Sequence, residues 1–407
     1  MVTRQPGAQK LVLVMVGLPA RGKTFVARKL LRYLSWLGYR SLWVNVGDYR
    51  RARAGAKQPA NYFASDNAET REARMGFAMA ALEDLLGWFA TGGEVGIYDA
   101  TNTERDRRDV IRARCDAAGV QVLFIETICD DEAVIDASVR RNKLNLPDYA
   151  GVDPEEAFRD FRARIAHYQK TYAPVSDDEG SFVKIIDQGR QVVLNRIEGY
   201  LSARLVFFLM HIHPTERSVW LTRHGESTFN LSGRIGGDPP LSPRGEEYAR
   251  ALSAFVRAKR GPATPVVWTS TLGRTLATAA HVPEAPVAWR PLDEIDAGVC
   301  DGMTYQEIKA QLPDEFSARA KDKFRYRYPR GESYADVVQR LEPVIVELER
   351  QASPVLLIAH QAVLRSLYGY LMGKPQDECP YLEIPLHHVI ELTPTEFGYD
   401  EQRTRLL

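Results

Sequence analysis

Gly17, Gly22, Lys23 and Thr24 stand in GLPARGKT at the spacing GxxxxGK[ST], a pattern that can hold the phosphates of a nucleoside triphosphate. The glycines let backbone N–H groups of the stretch Gly17, Leu18, Pro19, Ala20, Arg21, Gly22 turn around phosphate oxygens. Lys23 can reach the β/γ-phosphates and the Thr24 hydroxyl can ligate magnesium. Far along the chain, RHGE places Arg223, His224, Gly225 and Glu226 at the end of an apolar run, with Asn230 close behind. A histidine so placed is largely neutral near pH 7 and can accept a phosphoryl group without a separate base. Arg274 follows PVVWTS, Glu294 sits in LDEIDAG and His360 ends VLLIAH. Two histidines and two arginines at strand ends can surround a phosphoryl group in transit and neutralise its oxygens. Glu294 is then the candidate acid for the departing oxygen. One chain carries a site suited to adding phosphate and another suited to removing it.

The elements that must position these residues alternate. LVLVMV (residues 11–16) is an apolar run rich in β-branched residues, as expected of a strand buried on both faces, and a helical pattern follows the glycine-rich turn. Residues 41–46, 94–99 and 120–127 read as further strands, and residues 68–88 and 105–118 as helices. This predicts an α/β domain, a doubly wound parallel sheet of the P-loop type, with ligands at the carboxyl ends of its strands. Gly17, Arg50, Asp99 and Cys129 fall there. Asp99 is placed to contact magnesium directly or through another group, a helix N-cap being the plainer role. Arg50, Arg74, Arg107 and Lys143 would singly be solvated charges; together they suggest an anionic acceptor such as a sugar phosphate.

The pattern restarts after RLVFFLMHIHPTER, with Pro214 and Thr215 as a plausible join, so we expect domains at residues 1–213 and 214–407. Residues 218–223, 265–270 and 355–360 read as strands of a second doubly wound α/β sheet. A second basic and aromatic set lies in this half: Tyr305, then Arg319 and Lys323 at helical spacing, then Tyr334. Gln361 and Arg365 stand at i, i+4 on the helix that His360 opens. They could hold a second phosphate away from the reacting one.

Lys+Arg and Asp+Glu are both 53, so the 407-residue chain has no global pull on nucleic acid or membrane. Its four cysteines (Cys115, Cys129, Cys300, Cys379) have no CxxC spacing and read as reduced thiols. The N-terminus is no signal peptide, and LVFFLM is too short to span a bilayer. A cytoplasmic protein is expected.

GLPARGKT, VGDYRR, IYDATNT, RHGES, RIGGD, LDEIDAGVC, FRYRYPRGESY, RLEPVIVELER, AHQAVLR and PYLEIPLH closely resemble the bifunctional 6-phosphofructo-2-kinase/fructose-2,6-bisphosphatase family, from about Leu11 to about Pro394. The second half alone resembles the broader histidine phosphatase superfamily, which includes phosphoglycerate mutases. EIDAGVC and the His-Gln pair at His360 narrow the likeness. The resemblance implies synthesis of fructose 2,6-bisphosphate from ATP and fructose 6-phosphate, and its hydrolysis through a phosphohistidine. It implies Mg2+ with ATP for the kinase and no cofactor for the phosphatase. The implied ligands are small molecules rather than nucleic acid or membrane, and a homodimer is compatible.

By residue, the resemblance assigns Gly17 to Thr24 and Asn142 to ATP, with Thr24 and Asp99 at the metal. Asp99, Cys129 and Lys23 fall in the kinase active site. Arg50, Arg74, Thr101, Arg107, Lys143, Arg164 and Tyr168 match contacts to fructose 6-phosphate and the transition state. His224 matches the phosphohistidine and Glu294 the proton donor, with Arg223, Asn230, Arg274 and His360 around them. Gly236, Tyr305, Arg319, Lys323, Tyr334, Gln361 and Arg365 match holders of the bisphosphate. Asn145 and Leu146 depart from the family's usual Gly-Ser. The chain stops soon after the phosphatase motifs, so control through long phosphorylated tails is not expected. Rival readings are a single substantial activity, a kinase for another sugar phosphate, a polynucleotide kinase–phosphatase, and a non-catalytic sugar-phosphate sensor. Neutral charge weighs against the polynucleotide reading, and Lys23, Asp99, His224, Glu294 and His360 against the sensor.

Overall fold

The computed structural model describes residues 10–64, 67–212, 217–259, 261, 263–395 and 398–407. The chain divides into two compact units, Met1–Pro214 and Thr215–Leu407. The expected join at Pro214 and Thr215 lies outside the described residues.

The first unit is built on a six-stranded sheet: β1 (Leu11–Val16), β2 (Ser41–Asn45), β3 (Val95–Asp99), β4 (Gln121–Ile128), β5 (Phe182–Ile186) and β6 (Gln191–Asn195), in the order β2-β3-β1-β4-β5-β6. Every residue of β1 and β3 is buried, which is why both read as continuous apolar runs rather than alternating ones. Alternate residues Val12, Val14 and Val16 of β1 share a core with Leu82, Leu85 and Phe89 of the helix Ala68–Ala90. The neighbours of β1 are β3 on one side and β4 on the other, both parallel to it. Chain connections therefore diverge at its carboxyl end, opening a crevice where the glycine-rich turn lies. The sheet is not wholly parallel, because β6 returns antiparallel to β5 through a tight turn.

The second unit has another six-stranded sheet. Its strands are β7 (Val219–Arg223), β8 (Val266–Thr269), β9 (Val287–Ala288), β10 (Val355–Ala359), β11 (His388–Thr395) and β12 (Gly398–Arg405), in the order β12-β11-β7-β10-β8-β9. β7, β10 and β8 lie side by side and parallel, so their carboxyl ends open on one edge. β11 and β12 add an antiparallel border. Both sheets are thus mixed, with parallel centres where the expected sites fall.

Candidate active sites

The first site grows from the end of β1. Gly17 has φ 132°, and a Cβ there would stand 2.5 Å from the Thr127 carbonyl oxygen, so only glycine lets this turn pass against β4. Its N–H donates to the Thr101 carbonyl (2.8 Å), tying the turn to the loop after β3. Lys23 opens the helix Lys23–Trp36 and is buried, its ammonium donating back to the Leu18 carbonyl at 2.5 Å. Burial pushes its pKa down to about 7, opposed by Asp99 and aided by Lys143 and Arg21.

Asp99, at the end of β3, is buried and its acidity is weakened by that burial. Thr24 Oγ1 (2.9 Å), Asn45 Nδ2 (3.1 Å) and Trp43 Nε1 (3.3 Å) all donate to its Oδ2. Trp43 and Asn45 escaped sequence reading because strand β2 meets β3 only in the sheet, where Asn45 pairs with Asp99. Among the described residues no cluster of three or more His, Cys, Asp or Glu could cage a metal alone. One buried carboxylate beside a threonine hydroxyl fits magnesium arriving with phosphates and keeping several waters. Cys129 follows β4; burial raises its pKa, with Arg21 pulling the other way, so it is a thiol here.

A cationic cage lies in the same unit, centred on Asp148. Its buried carboxylate accepts from Arg50, from Arg51 (3.3 Å) and from Arg164 (3.3 Å). Burial opposes its ionisation, but the three arginines win and hold it below the usual carboxylate range. The Phe63 ring stacks under Arg164 (3.7 Å) and Arg50 (5.6 Å), and approaches Tyr168 at 5.9 Å. Arg74 donates to the Phe63 carbonyl (3.1 Å) and stands 6.0 Å from the Tyr168 ring. Four expected residues, Arg50, Arg74, Arg164 and Tyr168, are therefore gathered around Phe63, which sequence reading passed over along with Asp148. Ala20 packs in one cluster with Phe161 and Ile165, joining the glycine-rich turn to the helix Pro154–Gln169 that bears Arg164 and Tyr168.

Arg107 lies on the helix Arg105–Ala117, and its buried Nε has no hydrogen-bond partner among the described residues. Asn142 and Lys143 lie on the π-turn Val139–Lys143. Asn145, where the motif departs, donates to the Arg141 carbonyl (2.8 Å) and so closes that turn.

In the second unit His224 follows β7 and His360 follows β10, and register brings them together: the His224 N–H donates to the Ala359 carbonyl (3.0 Å). The ring centroids are 5.2 Å apart and both residues are buried. His224 Nδ1 lies 2.7 Å from the Gly225 carbonyl, which can only accept, so Nδ1 carries the proton and Nε2 keeps its lone pair. Burial, then Arg274 and Arg223, hold the His224 pKa down to about 3. Gly225 leaves no room for a side chain, since a Cβ would meet the Gly245 carbonyl oxygen at 2.5 Å.

Arg274 donates to the Gly237 carbonyl (2.5 Å) and to Asp238 (3.2 Å). Asn230 Oδ1 is taken by the Ser227 N–H (2.9 Å) and hydroxyl (3.0 Å), which leaves its amide nitrogen as the donor. Glu294 accepts from the N–H groups of Ile295 (2.9 Å), Gln361 (3.1 Å) and Ala362 (3.2 Å). It thus sits on the N-terminus of the helix Gln361–Leu371, where a carboxylate is favoured.

These groups open on a cavity of about 540 Å³, with Arg223, His224, Asn230, Arg274 and Glu294 at one part of its wall. Gly236, Tyr305, Arg319, Lys323, Tyr334, Gln361 and Arg365 line it too, so the structure gathers the whole second set. His360, wholly buried, does not line it. Arg319 donates to the hydroxyls of Tyr305 and Tyr328 (2.9 Å each), and Arg365 to Tyr334 (3.3 Å). Lys323 is not on the helix with Arg319: that helix ends at Lys321, and a turn at Asp322 carries Lys323 to the Pro380 carbonyl (2.9 Å). Burial, with Arg365 and Arg319, brings its pKa down to about 8. Tyr328 and Arg234 also line the cavity; the signal for Tyr328 was present in FRYRYP, but which of its aromatics faces inward depends on the turn.

Residues 1–216 match a family described as 6-phosphofructo-2-kinase, and residues 219–405 match the histidine phosphatase superfamily (branch 1). The chain is 50% identical over 404 residues to the 6-phosphofructo-2-kinase/fructose-2,6-bisphosphatase of Arabidopsis thaliana, covering 98% of this chain and 54% of that protein. It therefore spans about half the length of the plant relative. The protein of the same description from Gallus gallus is 47% identical over 391 residues, 95% of this chain and 83% of that one. Of solved structures, Bacillus stearothermophilus YhfR covers 46% of this chain and 95% of its own, at 29% identity and a TM-score of 0.41.

Proposed function

Because the chain belongs to the 6-phosphofructo-2-kinase/fructose-2,6-bisphosphatase family, we propose that it both makes fructose 2,6-bisphosphate and returns it to fructose 6-phosphate and phosphate. In the first unit the glycine-rich turn and Lys23 hold the phosphates of ATP. Thr24 and Asp99 hold Mg2+, which neutralises charge on those phosphates. The chain's own contribution is positioning and electrostatics. The cage of Arg50, Arg74 and Arg164 takes the phosphate of fructose 6-phosphate, whose oxygens replace Asp148 as partners of the guanidinium groups. Tyr168 and Phe63 keep those groups in plane, and Arg107, Thr101 and Lys143 line the path of the transferred group.

In the second unit the 2-phosphate of the bisphosphate enters between Arg223 and Arg274. The lone pair on His224 Nε2 attacks phosphorus; the bond from phosphorus to the sugar oxygen breaks and Glu294 supplies the proton that oxygen needs. Water then cleaves the phosphohistidine. Tyr305, Arg319, Lys323, Tyr334, Gln361 and Arg365 hold the 6-phosphate end. The observation that carries the reading is His224 itself, kept neutral by burial with its tautomer fixed by the Gly225 carbonyl in a cationic cavity. The enzyme is read as cytoplasmic, acting on small phosphorylated ligands without nucleic acid or membrane, with a homodimer compatible.

The test is covalent labelling with fructose 2,6-bisphosphate radiolabelled on its 2-phosphate. Wild type should trap acid-labile label and His224→Ala none, while the variant still makes the bisphosphate from ATP and fructose 6-phosphate. Labelled His224→Ala protein would refute the nucleophile.

A further inference from the structure

Behind the histidine pair runs a chain of hydroxyls to which the reading above gives no role. His360 Nε2 lies 2.8 Å from Ser270 Oγ, which lies 2.8 Å from Thr275 Oγ1, which lies 2.8 Å from the Leu272 carbonyl oxygen. His360, Ser270 and Thr275 are each 0% exposed. Ser270 Oγ also accepts from the Leu272 N–H at 3.1 Å.

Proton counting gives this chain a direction. A hydroxyl has one proton to donate, and a carbonyl oxygen has none. The contact between Thr275 and the Leu272 carbonyl therefore uses the Thr275 proton. Ser270 must supply the proton between itself and Thr275, and the His360 ring must supply the one it shares with Ser270. The chain runs Nε2–H to Ser270, Ser270 to Thr275, and Thr275 to the carbonyl, with both lone pairs of Ser270 filled. The opposite direction leaves two oxygens at 2.8 Å with no proton between them. It also puts a buried N–H on His360 Nδ1, which has no partner among the described residues, and orphaned N–H groups are the rarer kind. A second ring proton is excluded: burial, with Arg274, His224, Arg223 and Arg340 nearby, holds the His360 pKa well below its usual value.

We propose that Ser270 and Thr275 are positioning residues, a hydroxyl relay that fixes neutral His360 as its Nε2–H tautomer and leaves Nδ1 as a hydrogen-bond acceptor for the phosphatase reaction. Neither hydroxyl residue lines the cavity, so both act through the ring. An acceptor whose ring stands 5.2 Å from that of His224 suits a hydrogen bond from the water that cleaves the phosphohistidine. It does not suit grip on an unprotonated phosphoryl oxygen. The relay should thus govern turnover more than substrate affinity. This inference rests on His224 as the phosphoryl acceptor for its kinetic consequence alone; the tautomer can be read independently.

The experiment is nitrogen-15 NMR of the histidine rings in the full chain, with His360 assigned by its loss in His360→Gln, beside bisphosphatase kinetics. Wild type should show the Nε2–H pattern. Ser270→Ala should lose the single tautomer and lower kcat by roughly tenfold or more, with KM changed by less than about threefold. Ser270→Thr should restore both. Thr275→Val, which keeps the shape, should give a smaller change in the same direction and serves if Ser270→Ala does not fold. An Nδ1–H ring in wild type, or an unaltered tautomer and kcat in both Ser270→Ala and Thr275→Val, would overturn the relay. Failure of wild type to label at His224 would count against the phosphohistidine instead, and leave the ring spectra standing.

Discussion

Glu294 shows how much one side chain can be asked to do. Its carboxylate receives three backbone N–H groups, two of them from the start of the helix that His360 opens. Glu294→Gln keeps an oxygen for those donors and removes only the acid, so it should slow bisphosphate turnover by about 10²–10⁴-fold with little change in fold. Steady-state kinetics across pH would show it; a variant with normal turnover would move the proton donor elsewhere. His224 adds a pH signature. Its folded pKa of about 3 lies below the unfolded value. The unfolded chain therefore binds more protons between pH 3 and about 6.5, and stability of the second unit falls as pH falls through that window. His224→Ala should flatten that acid limb in thermal melts at pH 7 and pH 5. An identical limb would mean that His360 and the carboxylates set it.

At the scale of elements, the loop after β3 that carries Thr101, Asn102 and Thr103 is held from beneath by Arg108. That guanidinium is fully buried, bonded to Glu179 through Nε (2.6 Å) and a terminal nitrogen (2.8 Å). It also donates to the carbonyls of Asn102 (3.1 Å), Thr103 (3.2 Å) and Ala173 (2.9 Å). Arg108→Ala would leave the Glu179 carboxylate buried without its cation and is expected to cost about 3–5 kcal/mol. Chemical denaturation should reveal the loss, and because the Thr101 carbonyl anchors Gly17, kinase activity should fall before the fold is lost. The Glu179 pKa is lowered, although burial alone would raise it, because Arg108 and Ser176 outweigh burial. Its share of stability is present above the unfolded value and lost as acid protonates it. A variant with full stability and kinase rate would show that the loop stands without this pair.

On the scale of the whole molecule, the two chemistries belong to separate compact units, each with its own sheet and site. Lys23→Met should abolish fructose 2,6-bisphosphate synthesis and leave its hydrolysis nearly intact in the same preparation. The substitution also removes a buried ammonium whose pKa has been pushed down to about 7. It should therefore raise the melting temperature of the first unit below pH 7, an advantage that fades as pH approaches the unfolded lysine value. Parallel loss of both activities in a folded variant would contradict separate sites.

What the sequence determined alone was local in kind. GLPARGKT, RHGE and the apolar runs ending at Asp99 and His360 announced their chemistry because each motif sits within a strand–turn–helix unit that backbone geometry fixes. The adjacency of β7, β10 and β8 then had to bring His224, His360 and Arg274 to one edge. Other partners were decided only by tertiary structure, since they are set by pairings between distant segments. Asn45 and Trp43 reach Asp99 across β2 and β3, Asp148 gathers arginines from two helices, and Ser270 meets His360 between β8 and β10. Lys323 is the sharpest case. Helical spacing put it beside Arg319, but an aspartate whose side chain caps the next turn ends the helix first. Periodicity describes a residue's face only while its element lasts; where the element stops is settled by what the following turn can bond.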